Sequence, residues 1–345
     1  MTERERVLAA LEFRPVDVPP VMMHQSAGGL YEHGEKLAVL MREMGHDFGD
    51  LSSVKVPDPP PPGDFDANGE YDVYRTDDWG IRWHYRTFGV WGVPAEYPLR
   101  NLEALADLET PALPWSRGPQ FEAAKAGAAR HREHYFRVSG AGSIFEQMHS
   151  LRPFEDVIVE IMTDEPAINR LADMLTEYST ELVRRAVNTG TDAVSMGDDF
   201  GTQQAMIFPP EVWRRFFKPR YRRIFAPAIE AGVKIFFHCC GCIEPILEDL
   251  AELGVNAVWP QLNLWDFKEL AGRSKELGLA IQLHPDRGDL MQRGTPAQIR
   301  DYMMRMNDAF DIRGGGSFIY MEIDPGFPWG NVRALFEAVK ELRAG

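Results

Sequence analysis

From about residue 134 onward the chain repeats one pattern, a short apolar run followed by a long amphipathic stretch, and this alternation restricts the fold more than any other feature. The runs fall at residues 135–139, 193–196, 234–238, 257–260, 279–283 and 317–321, short enough for buried strands. Between them, 165–188, 210–231, 243–253, 296–310 and 331–343 carry the spacing of amphipathic helices. Strands that alternate with helices in one direction form a parallel sheet, and this many successive units favour a (β/α)8 TIM-type barrel over an open sheet. A further run at 18–23 would open the barrel. No glycine-rich phosphate cradle follows any run, so a nucleotide-binding open sheet lacks its defining loop.

The first third reads differently. Residues 57–64 are a proline run with the character of a stiff polyproline II linker, and 71–99 contain alternating segments such as Ile81-Arg82-Trp83-His84-Tyr85 that read as a β-hairpin or small sheet. Its apolar content is thin for an independent core. The expectation is one barrel domain over residues 1–345, elaborated at 55–115, with the change of pattern near residue 115. A formal net charge of -15 disfavours nucleic acid and anionic membranes as partners. The start has no apolar signal region and no run is long enough to cross a bilayer, so a soluble, cytoplasmic protein is expected.

All three cysteines sit in one place, Phe237-His238-Cys239-Cys240-Gly241-Cys242. Such clustering cannot staple a fold and points to metal or redox chemistry instead. His238 and Cys240 are two residues apart, so on a strand both face one side, as two ligands of one metal must. Cys239 faces away and Cys242 lies past the strand, and for both the inert reading is preferred. Active sites of such barrels are built at the C-terminal strand ends. Here those ends carry His24-Gln25, Asp198-Asp199, His238-Cys239-Cys240, Gln261, His284-Pro285-Asp286 and Glu322-Ile323-Asp324. Asp198 and Asp199, with Glu146 and His149 on an adjacent loop, are candidate acids; helix capping is the competing role for the aspartates. Six tryptophans in loops or at strand ends (Trp79, Trp83, Trp91, Trp259, Trp265 and Trp329) suit a flat apolar pocket for an aromatic ring. Candidate substrate contacts are His24, Gln25, Trp79, Gln203, Gln261 and His284.

In order and spacing, several segments resemble the uroporphyrinogen decarboxylase superfamily, and within it the corrinoid-dependent methyltransferase branch. They are Thr2-Glu3-Arg4-Glu5-Arg6-Val7-Leu8-Ala9-Ala10-Leu11, Gly197-Asp198-Asp199-Phe200-Gly201, Phe237-His238-Cys239-Cys240-Gly241, Gly294-Thr295-Pro296 and Pro328-Trp329-Gly330-Asn331. The resemblance implies a (β/α)8 barrel. The decarboxylase itself uses an arginine-bearing loop after the first strand; Met22-Met23-His24-Gln25-Ser26-Ala27-Gly28-Gly29-Leu30 contains none. The methyltransferase branch uses Zn²⁺ held by an H-x-C element and a third ligand from the last strand. His238 and Cys240 match the first two positions, and the third falls at or near Glu322 where the branch usually has cysteine, with Cys242 as a rival. A His, thiolate and carboxylate set keeps the site neutral around Zn²⁺.

The implied reaction is transfer of a methyl group from a small donor, with a methoxylated aromatic leading, to the cobalt of a corrinoid carried by a partner protein. A methylcobamide:thiol methyltransferase and a metal-independent decarboxylase are the alternatives. A homodimer is compatible with each.

Overall fold

The computed structural model describes residues 1–113 and 116–345. The change of pattern expected near residue 115, and with it the end of the expected 55–115 elaboration, lies outside the described residues. Ten strands form. Seven of them, β1 (Val21–His24), β5 (Val138–Gly140), β6 (Ala193–Gly197), β7 (Lys234–Cys239), β8 (Ala257–Pro260), β9 (Ala280–Leu283) and β10 (Ser317–Glu322), make one parallel sheet in the order β1-β10-β9-β8-β7-β6-β5. The other three, β2 (Val73–Thr76), β3 (Arg82–Tyr85) and β4 (Val93–Glu96), form a separate antiparallel sheet.

Every strand of the large sheet overlaps an apolar run in the sequence; β5, which begins at Val138, overlaps only the end of the run at 135–139. Seven ladder strands stand where eight were expected. In place of the eighth, residues 46–48 join the two sheet edges without a regular ladder. Asp47 N–H donates to Val21 O of β1 at 2.9 Å, and Asp47 O accepts from Phe136 N, just before β5, at 2.9 Å. The Asp47 side chain, fully buried, accepts from Val21 N at 2.7 Å and pairs with Arg6 and with Arg343. The sheet is thus closed through one carboxylate and its backbone, an arrangement with no apolar period to betray it.

Alternation along the strands sorts two cores. One set of positions (Phe136, Ala193, Phe236, Ala257, Ala280, Phe318) packs inside the curled sheet, where Phe48 fits against Phe136 and Phe318. Small alanines share this interior with the large rings, a mix of sizes suited to filling a tapered space. The helix Glu3–Leu11, capped by a Thr2/Glu5 capping box, closes the N-terminal end by placing Val7 and Leu11 on those rings. The alternate positions (Val194, Met196, Phe237, Val258, Ile281, Met321) face the surrounding helices.

The helices follow the amphipathic stretches with two breaks, and the stretch at 243–253 is a 3-10 turn, Glu244–Ile246, running into a short helix, Leu247–Glu252. The stretch at 210–231 is two helices, Pro210–Phe216 and Lys218–Glu230. Pro219 lies in the first turn of the second, where its missing N–H costs nothing, but it cannot continue the first. The small sheet sends Ile81 and Trp83 into the main core and lays its loop over the end of β1. Gly89 there has φ +74° and no room for a Cβ, which would meet Gly28 N at 2.1 Å. Phe88 beside it packs on Tyr31. No helix among the described residues is long and apolar enough to cross a membrane.

Candidate active site

Strand alternation and sheet register together build the site. Along β7 and the residue that follows it, Phe236, His238 and Cys240 share the inner face, while Cys239 turns outward into the helix layer and is fully buried. The ladder pairs Gly197 of β6 with His238, which brings Asp199 alongside Cys240 two residues further on. Cys240 N–H donates to Asp199 Oδ1 at 2.7 Å. His238 Nε2 lies 3.6 Å from Asp199 Oδ1 and 3.5 Å from Cys240 Sγ. The donor atoms of Asp199, His238 and Cys240 all lie within 4.8 Å of one another.

The backbone makes this closeness possible. A Cβ on Gly241 (φ +77°) would meet Gly201 O and C at 2.1 Å, so the loops after β6 and β7 touch main chain to main chain. Gln261, at the end of β8, accepts from Gly241 N at 3.0 Å and bonds Gln203 reciprocally at 3.0 and 2.9 Å. The β7 loop is therefore held from both sides.

His238 Nδ1 lies 2.9 Å from Trp259 O, which fixes the ring with its proton there and leaves the Nε2 lone pair toward Asp199 and Cys240. Burial lowers its pKa, opposed by the Asp199 charge. Burial, reinforced by Asp199, pushes the Cys240 thiol up to about 12. A thiol that rarely ionises by itself, a neutral imidazole and a carboxylate make poor nucleophilic machinery but a sound divalent-metal set, since a cation reverses the cost of the thiolate.

Behind this group, Glu146 Oε1 accepts from Asp199 N at 3.3 Å and Glu146 Oε2 lies 3.1 Å from His149 Nε2. Burial works to raise the Glu146 pKa, but the His149 bond and charge win and it is lowered. Neither Glu146 nor His149 lines the cavity described below; both act through Asp199. Asp198 points away from it. Completely buried, it accepts from Ile144 N at 2.9 Å, Glu146 N at 2.7 Å and the Tyr221 hydroxyl. Burial pushes its carboxyl up to about 7 against those donors. Its position is that of a cap on the helix Phe145–Leu151, holding Glu146 in place.

The last strand carries a second polar group. Glu322 sits beside His24 in the β1–β10 register, 3.7 Å from its Nε2. Its Oε2 accepts from Tyr320 Oη at 2.9 Å and from Arg287 Nη1 at 2.8 Å. Arg287 also donates to Asp324 through Nε and Nη2 at 2.8 and 2.9 Å. Glu322 thus belongs to the arginine and not to the His238, Cys240 and Asp199 group.

A cavity of about 510 Å³ opens between the two groups. His238, Cys240 and Trp259 line it from β7 and β8, and His284, Arg287 and Asp324 from the ends of β9 and β10. Trp259 packs its ring on His238 at 4.1 Å and Tyr320 at 4.3 Å. Both ring nitrogens of His284 face carbonyls, of Pro285 at 2.8 Å and Pro260 at 2.9 Å, so the side chain is fixed; burial lowers its pKa.

Of the expected substrate contacts, Gln203, Gln261 and His284 line this cavity. His24 and Gln25 are exposed on the rim beyond it. Trp79 packs on Tyr178 at 5.1 Å, and of the six loop or strand-end tryptophans Trp259 is the one lining the cavity. Tyr320 was not singled out, although its place two residues before Glu322 puts it on the inner face.

A curled parallel sheet with this polar constellation at its C-terminal strand ends defines an α/β protein of TIM-barrel type. The chain belongs to the uroporphyrinogen decarboxylase (URO-D) family, whose sequence profile matches residues 91–342. Among solved structures, a methyltransferase from Methanosarcina mazei superposes with a TM-score of 0.63 over 99% of this chain and 99% of its own, at 20% identity. A dihydropteroate synthase from Xanthomonas albilineans matches 49% of this chain and 61% of its own, at 15% identity and a TM-score of 0.36. No curated protein sequence matches the chain.

Proposed function

We propose that this protein is a metal-dependent methyltransferase that removes the methyl group of a small methoxylated donor, aromatic by preference, for the cobalt of a corrinoid on a partner protein. The observation that carries the reading is the meeting of His238, Cys240 and Asp199 donor atoms within 4.8 Å beside a cavity large enough for a one-ring donor. The full-length likeness to a methyltransferase fold, and the membership of the family, support it.

His238, Cys240 and Asp199 would hold the ion, Zn²⁺ being the expected one: their ligand types suit it, and Cys240 thiolate with Asp199 carboxylate cancels its charge. Bound there, it would supply Lewis acidity toward an ether oxygen. The remaining work falls to the chain. Methyl transfer breaks the C–O bond and leaves its electron pair on oxygen, so the site must hold that oxygen and exclude competing water. Trp259 gives the cavity an apolar wall. Glu146, held by Asp198 and paired with His149, fixes Asp199 from behind through its backbone N–H.

Metal-independent decarboxylation is less well matched. It needs free cations for substrate carboxylates, and Arg287, the single cation lining the cavity among the described residues, already serves two acids. The test is to measure metal content of the purified protein, then follow methylation of reduced cobalamin by absorbance with guaiacol, methanol and a thiol. Stoichiometric zinc with turnover of guaiacol is expected. Metal-free protein with unaltered activity would overturn the reading.

A further inference from the structure

The charge of the cavity is uneven in a way that methyl transfer does not require. Asp286, Asp289 and Asp324 line it, against Arg287 as the one lining cation among the described residues. That guanidinium is spent on Asp324 and Glu322, so two carboxylates against one guanidinium leave the corner negative. Asp286 adds another charge, its oxygens being taken only by the neutral N–H groups of Gly288 and Leu290, at 3.0 and 3.1 Å. Asp289 is balanced by Arg293 outside the cavity. His284 spends both ring nitrogens on the carbonyls of Pro285 and Pro260, so neither is free to meet an anion. A divalent ion at His238 would be matched by Cys240 and Asp199. Nothing is left over for an anionic substituent, and in a half-enclosed space such charges are weakly screened.

We propose that the site selects its methyl donor by charge: it takes donors whose remaining groups are cationic or neutral, an ammonium-bearing methoxyaromatic matching it best, and rejects those with a carboxylate. The inference rests on the methyltransferase reading for the word donor, but the charge preference is a binding property and is read without turnover.

Two probe sets separate the two readings. The first is 3-methoxytyramine, guaiacol and vanillate, one ring scaffold with positive, neutral and negative substituents. The second is tetramethylammonium, tert-butanol and pivalate, of similar size and no ring. Binding is measured by calorimetry at low and high salt on the purified protein and again after metal removal. The cation of each set should bind at least about tenfold tighter than the anion, a gap of roughly 1.4 kcal/mol. High salt should narrow the gap. Asp286→Asn, which keeps an oxygen for Gly288 N, gives up the bond from Leu290 N and removes the charge, should narrow it about threefold or more. If the aromatic set fails to bind while tetramethylammonium still outcompetes pivalate, the aromatic donor falls and the charge selection stands. Vanillate or pivalate binding as tightly as its cation overturns the selection, as does binding by none of the six.

Discussion

The carboxylate that meets His238 and Cys240 is Asp199, expected as an acid, and not Glu322, expected as the third ligand. Asp199 donates its carboxylate to the group, whereas Glu322 spends its own on Arg287 and Tyr320. Asp199→Ala should therefore weaken metal retention about tenfold or more, while Glu322→Ala should leave it unchanged, as measured by metal analysis after dialysis against a chelator. Loss of metal in the Glu322 variant alone would restore the last-strand ligand. The H-x-C pair was legible because two residues of spacing on a strand decide the face. Asp199 was legible only as an acid on the same rim, since its meeting with Cys240 depends on the β6–β7 register, which no single strand encodes. A second residue-scale effect concerns His46. Burial, with the charges of His131 and Arg343, lowers its pKa from 6.5 to about 4. The unfolded chain binds that proton more readily, so the contribution is complete above pH 6.5 and is lost as pH falls toward 4, by up to about 3 kcal/mol. Denaturant titrations at pH 7 and pH 5 should show a smaller pH slope in His46→Asn than in the unaltered protein.

At the level of elements, the loops after β6 and β7 depend on Gly201 and Gly241 touching without side chains. Gly241→Ala combines a left-handed backbone with a clash against main chain, and should cost about 2–4 kcal/mol and abolish metal binding at the proposed site. Thermal unfolding and metal analysis check both halves; a variant with native stability and full zinc would contradict the packing argument. The helices at 296–310 and 331–343 were readable to within two residues because their apolar spacing is unbroken. Phe145–Leu151 and Phe154–Met162 were not read as helices, each being short and separated by Pro153. The aromatic pocket was read from six tryptophans, yet most of those rings stabilise loops and the small sheet. Composition counts rings without saying which cavity they face.

For the whole molecule, the parallel sheet was evident from alternation, and its closing segment was invisible because residues 46–48 join the edges through a polar side chain. Removing that side chain exposes the weakness of the arrangement. Asp47→Ala leaves Arg6 with Asp17 alone and takes the acceptor from Val21 N and Arg343, and should destabilise the protein by about 1–3 kcal/mol, the usual cost of leaving buried donors unsatisfied. Equilibrium unfolding measures it; a loss under 1 kcal/mol would show that the ladders alone hold the edges. The same closure also bears on synthesis. β1 pairs with β10, Val21 opposite Ile319, and Asp47 waits for Arg343. A ribosome must therefore emit almost the entire chain before its first strand, bonded early only to residues 46–48, finds its ladder partner. Throughout translation the other edge of that strand and the rings above the opening helix remain uncovered, so this protein should lean on holding chaperones during translation and complete its fold only after release.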